Sequence, residues 1–198
     1  MSNSKNNVKR LAVTSVLAAI IAVVSFLPLK TMGLEITFSM VPIAIGAILY
    51  GPVVGAIFVG VFGLVSFLQC FGYSAFGAML IGENVFYTFI VCMTRVLAGL
   101  ITGLVAKAMT SDNKAVTELK FLVCSMLAPI LNTVFFMSSL ILLFYKGDTV
   151  QYFVNLLGAA NPFTFVILFV GINGLVEIIA GFVVAYPASK AVSKAIRD

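Results

Sequence analysis

LEITFSMVPIAIGAILYGPVVGAIFVGVFGLVSFLQCFGYSAFG, residues Leu34–Gly77, is the stretch that decides the fold of this chain. Its apolar segments are too short and too interrupted to be ordinary membrane spans. The first of them, Ile36–Tyr50, has 15 residues, so as a helix it is about 22 Å long against a hydrocarbon core of about 30 Å. Pro42 interrupts this segment, and a Gly51-Pro52 turn ends it. A helix this short leaves space at one face of a bundle, so the sequence predicts a pocket here.

The next apolar segment of the stretch, Val53–Phe71, ends among small and polar residues. Ser66 and Gln69 lie in its last turns, and the loop CFGYSAFG follows. Glycines give a loop backbone freedom to move. We therefore predict that this loop, with hinges at Gly72 and Gly77, forms a lid over the pocket together with the loop in the 30s.

The composition indicates an integral membrane protein. Of the 198 residues, 62% are hydrophobic and 10% are charged, and the mean hydropathy is +1.16. A water-soluble domain of this length could not bury so much apolar surface. The net charge of +5 does not indicate nucleic acid, because the basic residues lie at segment ends and lack the aromatic-flanked stripe of a nucleic-acid surface.

The order of the apolar segments predicts an all-α integral membrane protein in which residues 1–198 form a single transmembrane domain of six helices. The first apolar run follows a basic N-terminus but is longer than the hydrophobic region of a signal peptide, about 7 to 15 residues, so we predict that it is retained as a span. The predicted spans are 11–29, 36–50, 53–71, 82–108, 121–145 and 163–186.

The basic residues predict the orientation of these spans. If six spans alternate, nine Lys and Arg residues fall on one side of the membrane and two on the other. Because short cytoplasmic loops carry the excess of Lys and Arg, both termini are predicted to be cytoplasmic in a multi-pass protein of the cell membrane. The nine are Lys5, Lys9, Arg10, Lys107, Lys114, Lys120, Lys190, Lys194 and Arg197, and the two are Lys30 and Lys146.

Polar side chains inside the predicted spans are the candidate ligand-binding groups. Arg95 is the one basic residue within a span, and Glu177 lies at a comparable depth. These two either pair and hold the bundle together, or they line a cavity in which one charge is available to a ligand. Asn84, Asn132 and Asn173 can each donate and accept hydrogen bonds. The predicted binding residues are Asn84, Asn132, Asn173, Gln69, Ser66, Arg95 and Glu177.

Several chemistries are excluded by residues that the sequence lacks. There is no histidine, so Ser–His hydrolysis and histidine-rich metal sites are impossible, and there is no Gly-Lys pair for a Walker A loop. Cys70, Cys92 and Cys124 lie in or beside apolar segments without CxxC spacing, which is typical of small core residues. We predict that the chain is not an enzyme and holds no cofactor or metal.

The first helix and four further segments resemble a known family. They are a basic N-terminus leading to a helix with Ala18 and Ala22, followed by ITFSMVPIAIGAILYGPVVGA, FGLVSFLQCFGYSAFG, TRVLAGLITGLVAKA and NGLVEIIAGFVVAYPASKAV. Together they resemble the S component, the substrate-binding membrane subunit, of an energy-coupling-factor transporter, and most closely the pantothenate-specific group. The resemblance implies a six-helix subunit that captures a vitamin, docks on a T component bearing two ATPases, and topples in the membrane to release its ligand inside. It also implies that Ala18 and Ala22, which match the alanine motif of the family's first helix, contact the T component.

Other functions stay open on the sequence alone. The chain lacks the acidic, lysine-containing stretch of the riboflavin group where ITFSMVP stands, and it lacks the tryptophans of the thiamin group, but riboflavin, folate or a similar vitamin are alternative ligands. A second class is an autonomous small channel or transporter that oligomerises through GxxxG faces such as Gly51–Gly55 and Gly99–Gly103. A third class is a structural protein without a ligand. Copurification with a T component and two ATPases separates the first class from the others.

Overall fold

The computed structural model describes residues 2–26, 30–31, 34–35 and 38–197, and nearly all of them are helical. The predicted all-helical class is confirmed, apart from two short antiparallel strands, β1 (Lys30–Thr31) and β2 (Leu34–Glu35). A π-helical turn at Gly181–Ala185 joins the last two helices. The helices are α1 Ser2–Ser25, α2 Met40–Tyr50, α3 Pro52–Gln69, α4 Ala75–Glu83, α5 Val85–Thr94, α6 Val96–Ala108, α7 Lys114–Phe144, α8 Asp148–Leu157, α9 Pro162–Ala180 and α10 Tyr186–Arg197.

Several of these helices are suited to cross a membrane. Four stretches in the described residues are long and apolar enough, and a fifth is added if two helices that meet at a 78° bend count as one span. The apolar part of α1 and the whole of α2 are shorter. The chain is thus a multi-pass membrane protein by length and composition. The four stretches are Pro52–Gln69, Val85–Ala108, Lys114–Phe144 and Asn173–Ala195, and the bent pair is Asp148–Leu157 with Pro162–Gly171.

Helix α2 is even shorter than the sequence indicated. It begins at Met40 and has 11 residues, so it is about 16 Å long, roughly half of the hydrocarbon core. Pro42 therefore lies in the first turn, where backbone N–H groups have no partner within the helix. The interruption of the helix that was predicted at Pro42 is not observed. Gly51, with a φ of 88°, ends α2, and Pro52 begins α3. The predicted Gly-Pro turn is confirmed.

Helices α3 and α6 pack backbone to backbone through glycines. A Cβ atom on Gly99 would collide with the carbonyl group of Gly55, and one on Gly55 would collide with that of Gly99. A Cβ atom on Gly103 would collide with the backbone of Pro52. The GxxxG faces considered above for oligomerisation are therefore used within one chain, which removes the ground for assigning them to contacts between copies.

The predicted span 82–108 contains a helix break. Asn84 has extended backbone angles, with φ −160° and ψ 107°, that separate α4 from α5. Its side-chain Oδ1 accepts a hydrogen bond from Tyr87 N at 3.0 Å, which caps α5. At Arg95 the backbone keeps right-handed helical angles, but Ala98 N donates to Arg95 O in a tighter turn. Arg95 thus lies at the junction of α5 and α6.

Helices α7 and α10 extend beyond the predicted spans 121–145 and 163–186. Asn113 caps the start of α7 through its side-chain oxygen. Glu118 in the first turns of α7 pairs with Lys190 of α10 at 2.7 Å. The charged residues ended the apolar runs in the sequence, but they do not end the helices.

Helix α8 lies between the predicted spans 121–145 and 163–186, where no helix was predicted. Asp148 lies in its first turn, and Gly158, in the left-handed conformation with φ 62°, ends it. Phe153 of α8 packs against Phe76 of α4 and Phe169 of α9, with ring centroids 5.4 and 5.2 Å apart. This aromatic cluster closes one side of the bundle.

Candidate ligand-binding cavity

A cavity of about 90 Å³ lies where α3, α4, α5, α7 and α9 meet. At about 10 to 15 Å³ for each water molecule, it has room for several waters that a solute could displace. Three phenylalanines, Phe62, Phe76 and Phe136, lie in its wall, and polar residues are nearly as numerous there as apolar ones. An enclosed space with both apolar surface and convergent polar groups is suited to a small polar molecule.

Most of the predicted binding residues border this cavity. They come from α3, α7, α9 and the junction of α5 with α6. Asn84 is the exception, because it is exposed at the start of α5 and its side chain serves as the helix cap. The residues that line the cavity are Ser66, Gln69, Arg95, Asn132, Asn173 and Glu177.

Arg95 lies between two aromatic rings. Its guanidinium carbon Cζ is 3.8 Å from the ring centroid of Phe136 and 5.3 Å from that of Phe62. The side chain is only 9% exposed, and its Nε has no hydrogen-bond partner among the described residues. Cation–π contacts of this kind contribute about 2 kcal/mol when desolvated, but they do not pair the N–H donors. The cavity wall therefore holds a buried positive charge with an unpaired donor.

Asn132 supplies an unpaired acceptor in the same wall. The residue is 5% exposed, and within the part of the chain that the structure describes its Oδ1 accepts no hydrogen bond. A buried carbonyl oxygen without a partner costs about 1 to 3 kcal/mol. Such an atom at the edge of a cavity is suited to accept a hydrogen bond from a bound molecule.

Asn173 and Glu177 lie one turn apart on α9 and are both buried. Each of them has a polar or electrostatic interaction within the chain. The negative charge of Glu177 acts on Arg95. Arg95 and Glu177 thus line the same cavity. This placement fits both alternatives considered from the sequence, which are an ion pair that holds the bundle together and a charged site for a ligand.

Gln69 and the loop after α3 are tied to the end of α1. Gln69 Nε2 donates to Ser25 O at 2.6 Å, and Tyr73 Oη donates to Phe26 O at 2.6 Å. These bonds satisfy carbonyl groups that the C-terminal turn of a helix leaves unpaired. Gln69 therefore has a structural role besides its place in the cavity wall.

The predicted lid is described in part. Cys70, Ser74, Phe76 and Gly77 of the CFGYSAFG loop line the cavity, whereas most of the loop in the 30s lies outside the described residues. Gly72 has a φ of 131°, which favours glycine and suits a hinge. Gly77 lies within α4, and a Cβ atom there would be 2.5 Å from Cys70 Sγ. The prediction of a hinge at Gly77 is wrong, because close packing explains this glycine.

Ala18 and Ala22, the predicted partner contacts, are both partly buried on α1. Ala18 packs against the apolar core that α1 shares with α2 and α3. Val16 and Ile20, at neighbouring positions of α1, are 58% and 41% exposed. The two alanines thus lie at the border between the bundle and its exposed surface.

The aromatic and thiol groups of the cavity wall were not among the predicted binding residues. Phe62 lies one turn before Ser66 in α3, and Phe136 lies one turn after Asn132 in α7. Residues four apart share a helix face, so this spacing could have identified both rings.

A family model matches nearly the whole chain. Its description is "ECF transporter, substrate-specific component", and it matches residues 9–189. No curated protein matches the chain. All residues of the cavity wall lie within the matched range.

Proposed function

Because the chain belongs to the substrate-specific components of ECF transporters, we propose that it captures a water-soluble vitamin, best matched by pantothenate, in the cavity described above. Members of this family are transporter subunits and not enzymes. The observation that carries the proposal is that Arg95 Nε and Asn132 Oδ1 are both buried without a hydrogen-bond partner in the described structure, and that both residues line the cavity. Pantothenate offers a carboxylate, an amide and two hydroxyls, which call for one cation and several polar partners in an otherwise apolar pocket.

In this proposal each polar group of the wall has a part in binding. The ligand carboxylate pairs with Arg95, since carboxylates form strong charge-assisted hydrogen bonds with guanidinium groups. A ligand hydroxyl or amide N–H donates to Asn132, and Asn173 binds a further polar group. Glu177 contacts Arg95 or Asn173 and orients it, without binding the ligand itself. Ser66 and Gln69 contact the ligand nearer the loop after α3.

Ligand binding by Asn84 stays a prediction, because the side chain has a competing role as the cap of α5. From the sequence we expected its amide to bind the ligand, and its amide oxygen caps α5 instead.

We also propose that the chain, as one transmembrane domain, crosses the cell membrane six times with both termini in the cytoplasm. The six spans add the shorter α1 and α2 to α3, the α5–α6 pair, α7 and the α9–α10 pair. The excess of Lys and Arg at the connection of α6 with α7 and on α10 supports this orientation. Helix α8 then lies on the outer side.

The charge of Arg95 gives the decisive test of the ligand. Arg95→Gln should weaken the binding of radiolabelled pantothenate by about 5- to 150-fold, the loss expected for a hydrogen-bond partner worth about 1 to 3 kcal/mol. The alcohol analogue pantothenol has no carboxylate, so its binding should change little. Equilibrium binding of both compounds to the purified full chain measures the difference.

A surface variant controls for the loss of a positive charge. Lys194 is exposed on α10, and Lys194→Gln should leave the binding of both compounds unchanged. Equal weakening of pantothenate and pantothenol by Arg95→Gln, or recovery of folding by a second Glu177→Gln change, would assign Arg95 to the bundle.

Docking on a T component with two ATPases is proposed to use α1. Ala22→Phe should abolish vitamin uptake and copurification with the ATPases while leaving binding by the isolated chain nearly intact, because tight helix contacts tolerate little added volume. Val16 is 58% exposed and lies on another side of α1, so Val16→Phe is the matched control. Equal loss of binding and uptake in Ala22→Phe would show that this face supports the fold and not the partner.

A further inference from the structure

Three buried polar side chains connect the end of α1 with the start of α2 and the end of α3. Ser25, Ser39 and Gln69 are 1%, 0% and 5% exposed. Ser25 Oγ and Ser39 Oγ lie 2.8 Å apart, and Gln69 Nε2 donates to Ser25 O at 2.6 Å. Gln69 lines the cavity, and the two serines lie outside its wall. A chain of hydrogen bonds therefore runs from the cavity wall to two serines that the proposed vitamin binding does not use.

The direction of the bonds between the serines follows from the protons that they carry. Ser25 Oγ donates to Ile21 O at 2.6 Å, and a hydroxyl group has a single proton. Ser39 is therefore the donor in its bond with Ser25 Oγ, and Ile21 O lies 3.4 Å from the same hydroxyl. Serine is a common N-cap residue, but the side chain of Ser39, which precedes α2, makes no capping bond within the described residues. Its hydroxyl thus holds the last turn of α1.

The Ser25 carbonyl group fixes the orientation of the Gln69 amide. A carbonyl oxygen accepts hydrogen bonds and cannot donate them, so the amide nitrogen of Gln69, and not the amide oxygen, faces Ser25 O. Gln69 Oε1 is therefore directed away from Ser25 O. An amide that is held by its nitrogen in this way keeps its oxygen for another donor.

We propose that Ser25 and Ser39 are positioning residues for the ligand, because they hold the carbonyl group that turns Gln69 Oε1 toward a hydroxyl or amide N–H of the bound molecule. The inference rests on the proposed vitamin binding and extends it to residues outside the cavity wall. Pantothenate carries donors of this kind in its two hydroxyls and its amide. Loss of the Ser39 hydroxyl frees the last turn of α1, and the Gln69 amide then also takes orientations that present its N–H groups to the ligand donors.

The first test observes the Gln69 amide without any vitamin. The chain has two glutamines, Gln69 and Gln151, so ¹⁵N labelling of glutamine side chains gives two NH₂ groups in the NMR spectrum of the purified full chain in detergent. Gln69→Met identifies one of them. Gln151 Nε2, which donates to Tyr145 O at 2.5 Å, is the internal control.

The expected result is a change at one glutamine alone. Ser39→Ala should speed the exchange of the Gln69 side-chain amide protons with water by about 2- to 10-fold, the effect of one hydrogen bond, and should leave Gln151 unchanged. Serines that only packed α1 against α2 would lower stability without acting on this amide. The same exchange at Gln69 in the wild type and in Ser39→Ala would overturn the proposal.

The second test measures the consequence for binding with a double-mutant cycle. Ser39→Ala should weaken pantothenate by about 2- to 10-fold in the wild-type chain and hardly at all in Gln69→Met, because the serine acts through the glutamine. Ser139 provides the matched control, since its Oγ lies 2.9 Å from Thr94 Oγ1, its side chain is buried, and it lies outside the cavity wall. Ser139→Ala should have the same effect on affinity in both backgrounds.

The two tests separate this inference from the proposed function. Equal weakening by Ser39→Ala in the wild-type and Gln69→Met backgrounds would overturn positioning through Gln69 while vitamin binding stands. A wild-type chain that does not bind pantothenate would overturn the proposed vitamin, and the exchange at Gln69 still decides whether the serines orient its amide.

Discussion

Helix α3 makes a close backbone contact with α6 at one end and borders the cavity at the other. Gly55, in its first turn, meets Gly99 of α6 backbone to backbone, so that an added Cβ atom on either glycine would collide with the other. Two turns further along α3, Phe62 and Ser66 line the cavity. The partner of α3 shows the same change from close contact to cavity wall. Gly99 of α6, which makes the contact, is one turn from Arg95, which lines the cavity.

This difference shows that one helix can pack closely on its neighbour at one end and carry cavity residues further along. Glycines allow the close contact of α3 with α6, whereas the larger side chains of Phe62 and Ser66 face the cavity. Polar groups follow the same division. Arg95 Nε and Asn132 Oδ1, both in the cavity wall, are buried without a hydrogen-bond partner in the described residues. The glycine contact therefore serves stability, whereas the cavity wall contains buried polar groups that the described residues leave unpaired.

The largest expected effect comes from breaking the glycine contact. Gly99→Ala puts a methyl group into the carbonyl of Gly55, so we expect a loss of about 3 kcal/mol of stability, the upper part of the usual range for overpacking. Thermal unfolding of the full chain in detergent measures it. Gly60 of α3 is the matched control, because the nearest atom to an added Cβ there is Val96 Cγ2 at 3.9 Å. Equal midpoints for Gly99→Ala and Gly60→Ala would contradict the role of this contact.

The second effect concerns the cavity and leaves the fold intact. Asn132→Leu keeps the branching and the number of side-chain heavy atoms and removes an acceptor that has no partner in the described structure. Pantothenate affinity should fall by about 5- to 150-fold, while the unfolding midpoint of the ligand-free chain should stay the same or rise. Asn155, exposed on α8, provides the control variant Asn155→Leu. A lower midpoint with unchanged affinity would make Asn132 a structural residue.

Much of the cavity could be predicted from the sequence because polar residues are rare in apolar spans. Arg95, Asn132, Asn173 and Glu177 stood out for that reason, and the structure brings them to one wall. Helix ends were harder to predict, since charged residues such as Lys120 end an apolar run without ending the helix.

Other features depended on local geometry that spacing does not reveal. Asn84 was predicted to bind the ligand, but an extended backbone at this residue makes its side chain the cap of α5. Gly77 looked like a hinge because a loop was expected, and it proved to be a packing residue in α4. Helix α8 carried the signals of a helix, with Asp148 in the first turn and Gly158 after the last, but its mixed polarity does not look like a membrane span.

The smallest expected effect separates a cap from a ligand contact at Asn84. If its side chain only caps α5, Asn84→Ala should lower stability by about 1 kcal/mol, as is typical for the loss of an N-cap, and should leave pantothenate affinity unchanged. Asn84→Ser restores a capping oxygen and should recover most of the stability. Asn132→Leu should give the opposite pair of results, because its acceptor has no partner in the described part of the ligand-free chain. If Asn84→Ala and Asn84→Ser both weaken pantothenate while the midpoint holds, the ligand reaches the junction of α4 with α5, and the binding site extends beyond the cavity wall.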